Sequence, residues 1–307
     1  MRFGALILGI LAGLAVFELA CQLYWLRVEQ GFSTVRNRGD FYYERSDDPR
    51  LAYQLRPGFR FTRDHKRISI DGSGLRNEGP ATGRVGVIGD SVVFGVGHAQ
   101  EDVPTALAGP EYLNLGVPGY GLAEIAALLE RSLRRMDLAG VVYVLNLNDF
   151  ALRGTRYEGA DNSLYRMFVS PSPKTPYFIG KAAYRYHKSG SAWKSSAQAP
   201  GWYRWLFQGT RETNLAHLST MIELAQAKAA RFSLIVLPAG SGYSANGYTL
   251  GEITESVCSV ASEHGTPCRQ AFNGRSHAEL FDSTDHLTEA GNQALAGEIV
   301  ELTRDWL

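Results

Sequence analysis

The sequence has little cysteine and no excess of charge, and both shortages exclude classes of protein. Only three of its 307 residues are cysteine, and no Cys–His cluster has zinc spacing, so no metal site is expected. The 31 Lys and Arg residues balance 31 Asp and Glu residues, whereas proteins that bind nucleic acid usually carry a basic excess. No repeat occurs at solenoid periods. The apolar share of 45% excludes a disordered or collagen-like chain.

One long apolar segment is present, at the N-terminus. Residues 3–26 are apolar apart from Glu18 and Gln22, and about 20 residues at ~1.5 Å each are enough to span a bilayer core. We therefore predict a transmembrane helix that anchors the chain through residues 1–27. The alternatives are a cleaved signal peptide or a lipoprotein site at Cys21, and a helix buried in a hairpin. The positive charges on the two sides of the segment leave its orientation open.

Short β-branched runs alternate with helical periods along most of the remaining chain. Strands are predicted at residues 85–89, 112–115, 141–147, 232–237 and 267–272, and helices at 120–136, 211–231, 252–263 and 289–306. This alternation is typical of a mainly parallel sheet with helices on both faces. Residues 28–84 are predicted to form an irregular pre-domain with a turn at Asp71 and Gly72, and residues 85–307 the main α/β domain.

A basic and aromatic insert interrupts the alternation at residues 151–210. It carries nine basic and twelve aromatic residues against only Glu158 and Asp161. A connection of this length is usually functional or disordered, and so many aromatic residues argue against disorder. Two interpretations stay open: a packed subdomain, or a platform that binds substrate through aromatic faces and cations.

Groups suited to acyl chemistry follow the predicted strands. Ser91 comes directly after the first strand, and ligands bind beyond the carboxyl ends of such strands. A serine hydroxyl needs a base before it can act as a nucleophile. Of the seven histidines, only His286 lies in a matching loop, between the last strand and the last helix. Asp282 and Asp285 in that loop are available to orient its imidazole.

Donors for a developing oxyanion are also present at strand ends. Gly116 follows the second strand, where the missing side chain lets a backbone amide approach a substrate closely. Asn148 follows the third strand and places a side-chain amide at the same edge of the sheet.

Together these residues resemble the SGNH family of GDSL-type hydrolases. The similar blocks stand in family order at residues 89–95, 114–119, 148–149 and 282–292. The resemblance implies a flavodoxin-like three-layer α/β/α sandwich with a parallel five-stranded sheet. It implies Ser91 as the nucleophile, His286 as the base, and an oxyanion hole formed by the Ser91 amide, the Gly116 amide and the Asn148 side chain.

The sequence departs from the family pattern at two positions. Asn146 stands where the family usually has a glycine, and Ser283 stands where it usually has the triad acid. We predict Asp282 as the acid, because Asp285 adjoins His286 and would have difficulty folding back onto its neighbour's ring. A Ser–His dyad remains an alternative.

The predicted function is a serine esterase that acts on ester-linked acyl groups without a metal or cofactor. Residues 48–58 and 70–76 resemble the pre-domain of membrane-anchored bacterial SGNH proteins. By analogy with such relatives, the substrate is an O-acetyl group on a cell-surface or secreted glycan and the catalytic domain lies outside the cytoplasmic membrane. The alternatives are a polysaccharide O-acetyltransferase, a lipid-directed thioesterase or lysophospholipase, and a non-catalytic scaffold of a polysaccharide assembly. No nucleic-acid partner is expected.

Two cysteines lie ten positions apart near the C-terminus. Cys258 falls on a predicted helix and Cys268 on the strand that follows it. They form a disulfide if the compartment is oxidising. The alternative is that both are small buried side chains.

Overall fold

The computed structural model describes residues 2–24, 42–51, 53–63, 66–79, 84–151, 199–228, 230–273, 279–282 and 286–307. The chain divides into two compact units, of which the larger comprises Tyr42–Leu152 and Ser196–Leu307. The smaller comprises Met1–Phe41 and Arg153–Ser195. Most of the predicted insert, residues 152–198, lies outside the described residues.

The N-terminal apolar segment forms a helix, α1, over Arg2–Tyr24. Six of its large apolar side chains are each between 52% and 67% exposed, namely Leu11, Leu14, Val16, Phe17, Leu19 and Leu23. Within the ranges given above, no helix combines the length and the hydropathy that crossing a membrane requires.

The larger unit begins with two antiparallel hairpins. The first pairs β1 (Tyr43–Arg45) with β2 (Tyr53–Leu55), and the second pairs β3 (Arg60–Arg63) with β4 (Lys66–Ser69). The predicted turn at Asp71 is confirmed, since its backbone carbonyl accepts a bond from the Gly74 amide and its side chain accepts from the Ser73 amide.

The α/β part follows in the predicted alternation. Its elements are β5 (Val85–Gly89), α2 (Ser91–Phe94), α3 (Pro104–Ala108), β6 (Tyr112–Gly116), α4 (Leu122–Arg135), β7 (Gly140–Asn146), α5 (Ala199–Ala227), β8 (Arg231–Leu237), the short strands β9 (Tyr243–Ser244) and β10 (Gly247–Tyr248), α6 (Gly251–Glu263), β11 (Cys268–Gln270) and α7 (Glu289–Leu302). Helix α5 begins well before Arg211, where the sequence predicted its start.

Five of these strands form one parallel sheet in the order β6–β5–β7–β8–β11. Numbered along the chain, this is the 2-1-3-4-5 order of flavodoxin-like folds. Strands β5 and β7 are buried along their whole length, which explains their continuous apolar sequence. The predicted parallel five-stranded sheet is therefore confirmed.

Helices cover both faces of the sheet. Successive side chains of β7 alternate between two cores, with Val141, Tyr143 and Leu145 in one and Val142 and Val144 in the other. The first core contains apolar side chains of α4, α5 and α6, and the second contains those of α2 and α7. The arrangement is the expected α/β/α sandwich, and its carboxyl edge carries the residues that follow each strand.

Cys258 on α6 and Cys268 on β11 form a disulfide, with their Cα atoms 5.3 Å apart. The bond joins the edge strand of the sheet to the helix that precedes it. Of the two interpretations that the sequence allowed, the structure supports the paired one.

Candidate active site

Ser91 lies at the first position of α2, directly beyond the buried strand β5. Asp90 caps this helix, because its Oδ1 accepts a hydrogen bond from the Val92 amide at 3.0 Å. The helix ends after one turn at Gly95, whose φ of 82° is in the left-handed region that favours glycine. The Ser91 amide donates to no atom in the described part of the chain, so it is available to a ligand at the helix N-terminus.

His286 approaches Ser91 from the other end of the chain. Its Nε2 lies 3.1 Å from the Ser91 Oγ, across 195 positions of sequence. An isolated bridge between Phe281 and Leu287 closes the loop on which it stands, and the Thr288 amide donates to the Leu280 carbonyl. The structure therefore brings together the serine and the histidine that the sequence singled out.

Asp282 contacts the backbone of His286. Its Oδ1 accepts a hydrogen bond from the His286 amide at 3.1 Å, and its side chain is exposed. The carboxylate therefore lies beside the histidine and shapes the loop that carries it. Asp285, the second candidate for the acid, and Ser283 lie outside the described residues.

Among the described residues, two groups can accept the one hydrogen bond that the Ser91 hydroxyl donates. Besides the His286 imidazole, the Asp90 Oδ2 lies 3.1 Å from the Ser91 Oγ, and Asp90 is only 1% exposed. A hydroxyl donates one hydrogen bond at a time. For catalysis the proton must point to the Nε2 of His286, and the bond to Asp90 competes with that orientation.

The Gly116 amide is already engaged. It donates to the Asn114 Oδ1 at 3.0 Å. The next amide, of Val117, donates to the Gly89 carbonyl of β5, and successive amides of a strand point to opposite sides. The Gly116 N–H thus points away from β5, and its predicted role in an oxyanion hole requires the bond to Asn114 to open.

A second glycine follows in the same loop. Residues 117–120 form a turn closed by the bond from the Tyr120 amide to the Val117 carbonyl, with Gly119 at a φ of 85°. This position of a type II turn demands a positive φ. The Gly119 amide donates to no atom within the described ranges, which makes it an alternative donor that sequence reasoning missed.

Asn148 lies on a short 3₁₀ helix, Leu147–Phe150, at the end of β7. The side chain of Asn146, the departure from the family pattern, caps this helix. Asp149 is fully buried, and its Oδ2 accepts bonds from the Tyr143 hydroxyl at 2.9 Å and the Asn146 amide at 3.0 Å. Burial, followed by the nearby Asp149 and Asp90 carboxylates, raises the pKa of Tyr143 well above its usual range, so the phenol stays a donor.

Two further residues near the site had no recognisable signal in the sequence. His98 places its Nε2 2.8 Å from the Leu287 carbonyl, next to His286. Arg76 is 1% exposed and donates to the carbonyls at the end of α2. Over the part of the chain that is described, no three His, Cys, Asp or Glu side chains are grouped so as to hold a metal ion.

Comparison with known proteins gives matches among solved structures only. No protein-family model matches the chain, and no curated protein does. The crystal structure of TesA is 18% identical and covers 73% of this chain and 99% of its own, with a TM-score of 0.42.

Two further structures resemble the chain to a similar degree. The psychrotrophic esterase EstA from Pseudoalteromonas sp., inhibited by monoethylphosphonate, is 13% identical, covers 72% of this chain and 97% of its own, and has a TM-score of 0.44. A GDSL-like lipase from Bacteroides thetaiotaomicron is 14% identical, covers 73% and 89%, and has a TM-score of 0.43. Similarity this low assigns no function, which must come from the residues of this chain.

Proposed function

We propose that the protein is a serine esterase of the SGNH type, which hydrolyses ester-linked acyl groups. The observation that carries the proposal is the 3.1 Å contact between the Ser91 Oγ and the His286 Nε2. It joins a hydroxyl at a helix N-terminus to an imidazole at the carboxyl edge of a parallel sheet, where ligands of such folds bind. Nucleophile and base within hydrogen-bond reach are the signature of an activated serine.

The chemistry takes two steps. The Ser91 Oγ attacks the ester carbonyl while the His286 Nε2 accepts the hydroxyl proton, and the imidazolium then gives that proton to the departing alcohol. In the second step His286 takes a proton from water, which attacks the acyl-enzyme, and then returns it to the Ser91 Oγ. The acid product leaves with the acyl group. Asp282 is the proposed acid that orients the imidazole.

Three donors are proposed to stabilise the tetrahedral oxyanion. They are the Ser91 amide, the Asn148 side chain and a glycine amide of the loop after β6. The sequence assigns the last role to Gly116, whose amide is bonded to Asn114 in this structure. The Gly119 amide donates to no described atom, and Gly119 is the alternative for the third donor.

Labelling with a fluorophosphonate tests the proposal, because the reagent reacts with activated serines. We expect the full chain to be labelled and to hydrolyse p-nitrophenyl acetate, and Ser91→Ala to do neither. Ser219→Ala is a matched control, since the Ser219 Oγ also lies 2.6 Å from a histidine Nε2, that of His264, but within a helix rather than beyond a strand. Folded protein without labelling, or labelling that survives Ser91→Ala, contradicts the assignment.

For the substrate we keep the sequence prediction of an O-acetyl group on a cell-surface or secreted glycan. Its support is the resemblance of residues 48–58 and 70–76 to the pre-domain of membrane-anchored bacterial SGNH proteins. The same acyl-enzyme also allows transfer of the acyl group to a sugar hydroxyl instead of water. Acetate release from an acetylated glycan, compared with release of long acyl chains from lysophospholipid and acyl thioesters, decides the class. If a sugar is added as acceptor and becomes acetylated, the enzyme transfers the acyl group instead of hydrolysing the ester. Preference for long chains contradicts the glycan proposal.

We also propose that the protein acts outside the cytoplasmic membrane and that residues 1–27 attach it there. The support is the apolar sequence of that segment and the disulfide between Cys258 and Cys268, since disulfides persist in oxidising compartments. Protease accessibility in intact cells and extraction at alkaline pH test both points. Release of the full chain by alkaline buffer contradicts the anchor.

A further inference from the structure

His98 connects the loop after the serine helix to the loop that carries His286. Its ring Nε2 lies 2.8 Å from the Leu287 carbonyl oxygen, across 189 positions of sequence. A carbonyl oxygen only accepts hydrogen bonds, so the His98 Nε2 must carry a proton and donate it. Leu287 is the neighbour of His286, and the bond therefore holds the backbone directly beside the imidazole.

The other end of this connection is fixed by Arg76. Its guanidinium donates at 2.7 Å to each of three carbonyls, those of Phe94, Gly95 and His98. It also lies 4.6 Å over the Phe94 ring. Burial lowers the pKa of Arg76 to about 10, which leaves the group charged at neutral pH. A cation at the C-terminal end of α2 also suits the helix dipole. Because Arg76 bonds to carbonyls of both segments, it holds the end of the serine helix and the His98 backbone together.

A second bond joins the same two segments. The Asn292 Nδ2, on the first turn of α7, donates to the Asp102 carbonyl at 2.9 Å. His98 and Asn292 thus connect residues 94–103, which follow Ser91, to residues 286–292, which begin with His286. Of these two bonds, the one from His98 lies closer in sequence to His286.

We propose that His98 is a positioning residue, whose Nε2–H holds the Leu287 carbonyl and thereby keeps the His286 imidazole within reach of the Ser91 hydroxyl. The proposal rests on the esterase function proposed above. The Ser91–His286 contact joins two segments that lie 195 positions apart in the sequence, so other contacts must hold them at the right distance. A misplacement of about 1 Å in a catalytic pair can cost about 100-fold in rate.

Three substitutions of His98 in the full chain separate the hydrogen bond from the bulk of the ring. His98→Leu keeps apolar bulk without a donor, His98→Ala removes both, and His98→Gln keeps an amide N–H at a similar reach. We expect the Leu and Ala variants to lose about tenfold to 100-fold in kcat for p-nitrophenyl acetate and in the rate of fluorophosphonate labelling. Their KM should stay within about threefold, and His98→Gln should recover most of the loss.

A matched control is His264→Ala, which removes another histidine with a hydrogen-bonded Nε2, the bond being to Ser219 on α5. It should leave kcat and the labelling rate unchanged. Circular dichroism checks that each variant folds, and where His98→Ala does not, the Leu and Gln variants decide.

The outcomes separate the two proposals. Folded His98→Leu with the kcat of the unmutated protein overturns the positioning role and leaves the esterase function standing. A loss of kcat that His98→Gln does not reduce assigns the effect to the ring itself and also overturns it. If the unmutated protein is neither labelled nor active on any ester, the esterase function fails, and the positioning role fails with it.

Discussion

Asn148 lies on a short helix that is held by hydrogen bonds of its neighbours, and its own Oδ1 takes no part in them. The Asp149 carboxylate accepts hydrogen bonds from the Tyr143 hydroxyl and the Asn146 amide. The Asn146 side chain caps the short helix that contains Asn148. The Asn148 Oδ1, in contrast, is buried and meets no donor among the described residues. A buried polar group left unpaired costs about 1–3 kcal/mol. The Asn148 Oδ1 therefore adds no hydrogen bond to the fold within the described residues.

Replacement of Asn148 by alanine should therefore separate activity from stability. We expect Asn148→Ala to lower kcat by about 100-fold to 1,000-fold, the usual effect of removing one oxyanion donor. The free energy of unfolding should fall by no more than about 0.5 kcal/mol, because the unpaired carbonyl leaves with the side chain. Steady-state kinetics and urea unfolding measure the two effects. A kcat within a few-fold of the unmutated value excludes Asn148 from the oxyanion hole.

At this scale, sequence reasoning identifies residues whose signal is local. Ser91 follows a β-branched run and His286 precedes a helix cap, so the sequence alone places both at the carboxyl edge of the sheet. His98 and Arg76 have no such signal, because their roles depend on contacts with Leu287 and with the carbonyls that end α2. The engagement of the Gly116 amide by the Asn114 side chain is equally invisible, since an asparagine in a strand has many possible partners.

Among the secondary-structure elements, β11 is the least supported by the sheet. It has three residues, lies at an edge of the five-stranded sheet and, in the part of the chain that is described, pairs only with β8. The disulfide between Cys258 and Cys268 attaches it to α6 across ten positions of sequence. Closing a loop of this size in the unfolded chain contributes about 3 kcal/mol to stability in the chain-entropy account.

Removal of the disulfide should weaken the fold without altering the reactive serine. We expect Cys258→Ser combined with Cys268→Ser to lower the free energy of unfolding by about 2–3 kcal/mol. Fluorophosphonate labelling of Ser91 should continue at its original rate, because β7 and β8 separate β11 from β5. Reducing agent should destabilise the unmutated protein equally and leave the double variant unaffected. Lost labelling in the folded double variant contradicts this view.

The elements that the sequence predicted poorly have two different physical causes. Helix α5 starts at Ala199 although Gly201 and Gly209 disfavour a helix. Burial of Tyr203, Leu206 and Phe207 offsets that local preference. Strands β1–β4 have only three or four residues each, too few for a clear alternation of apolar and polar side chains. The strands β5–β8 were predictable because they are five to seven residues long and mostly apolar.

For the whole molecule, the alternation of strands and helices predicts the sheet. It does not predict that residues of the segment 42–79 pack into the core of the α/β part, which the structure shows. Right-handed crossovers restrict the possible strand orders to a few, among which the flavodoxin-like order is common. Nothing comparable relates an irregular segment to a distant core. In the structure, Leu51, Leu55, Phe59, Ile70 and Leu75 are buried in the same hydrophobic cluster as the helices α4, α5 and α6. The Tyr53 hydroxyl also donates to the Pro118 carbonyl at 2.7 Å, beside Gly119.

This shared core leads to a prediction about truncated chains. Burial of a large apolar side chain stabilises a fold by about 1.5–3 kcal/mol, so the five buried residues together contribute about as much as the entire stability of a typical domain, about 5–15 kcal/mol. A chain that begins at residue 84 should therefore be insoluble or lack a cooperative thermal transition. A chain that begins at residue 42 should unfold cooperatively and keep its Ser91 labelling, since its residues include the whole of the larger unit. Circular dichroism and fluorophosphonate labelling of the two chains provide the measurement. If the chain that begins at residue 84 folds and is labelled, residues 42–79 are an appendage and not part of the catalytic core.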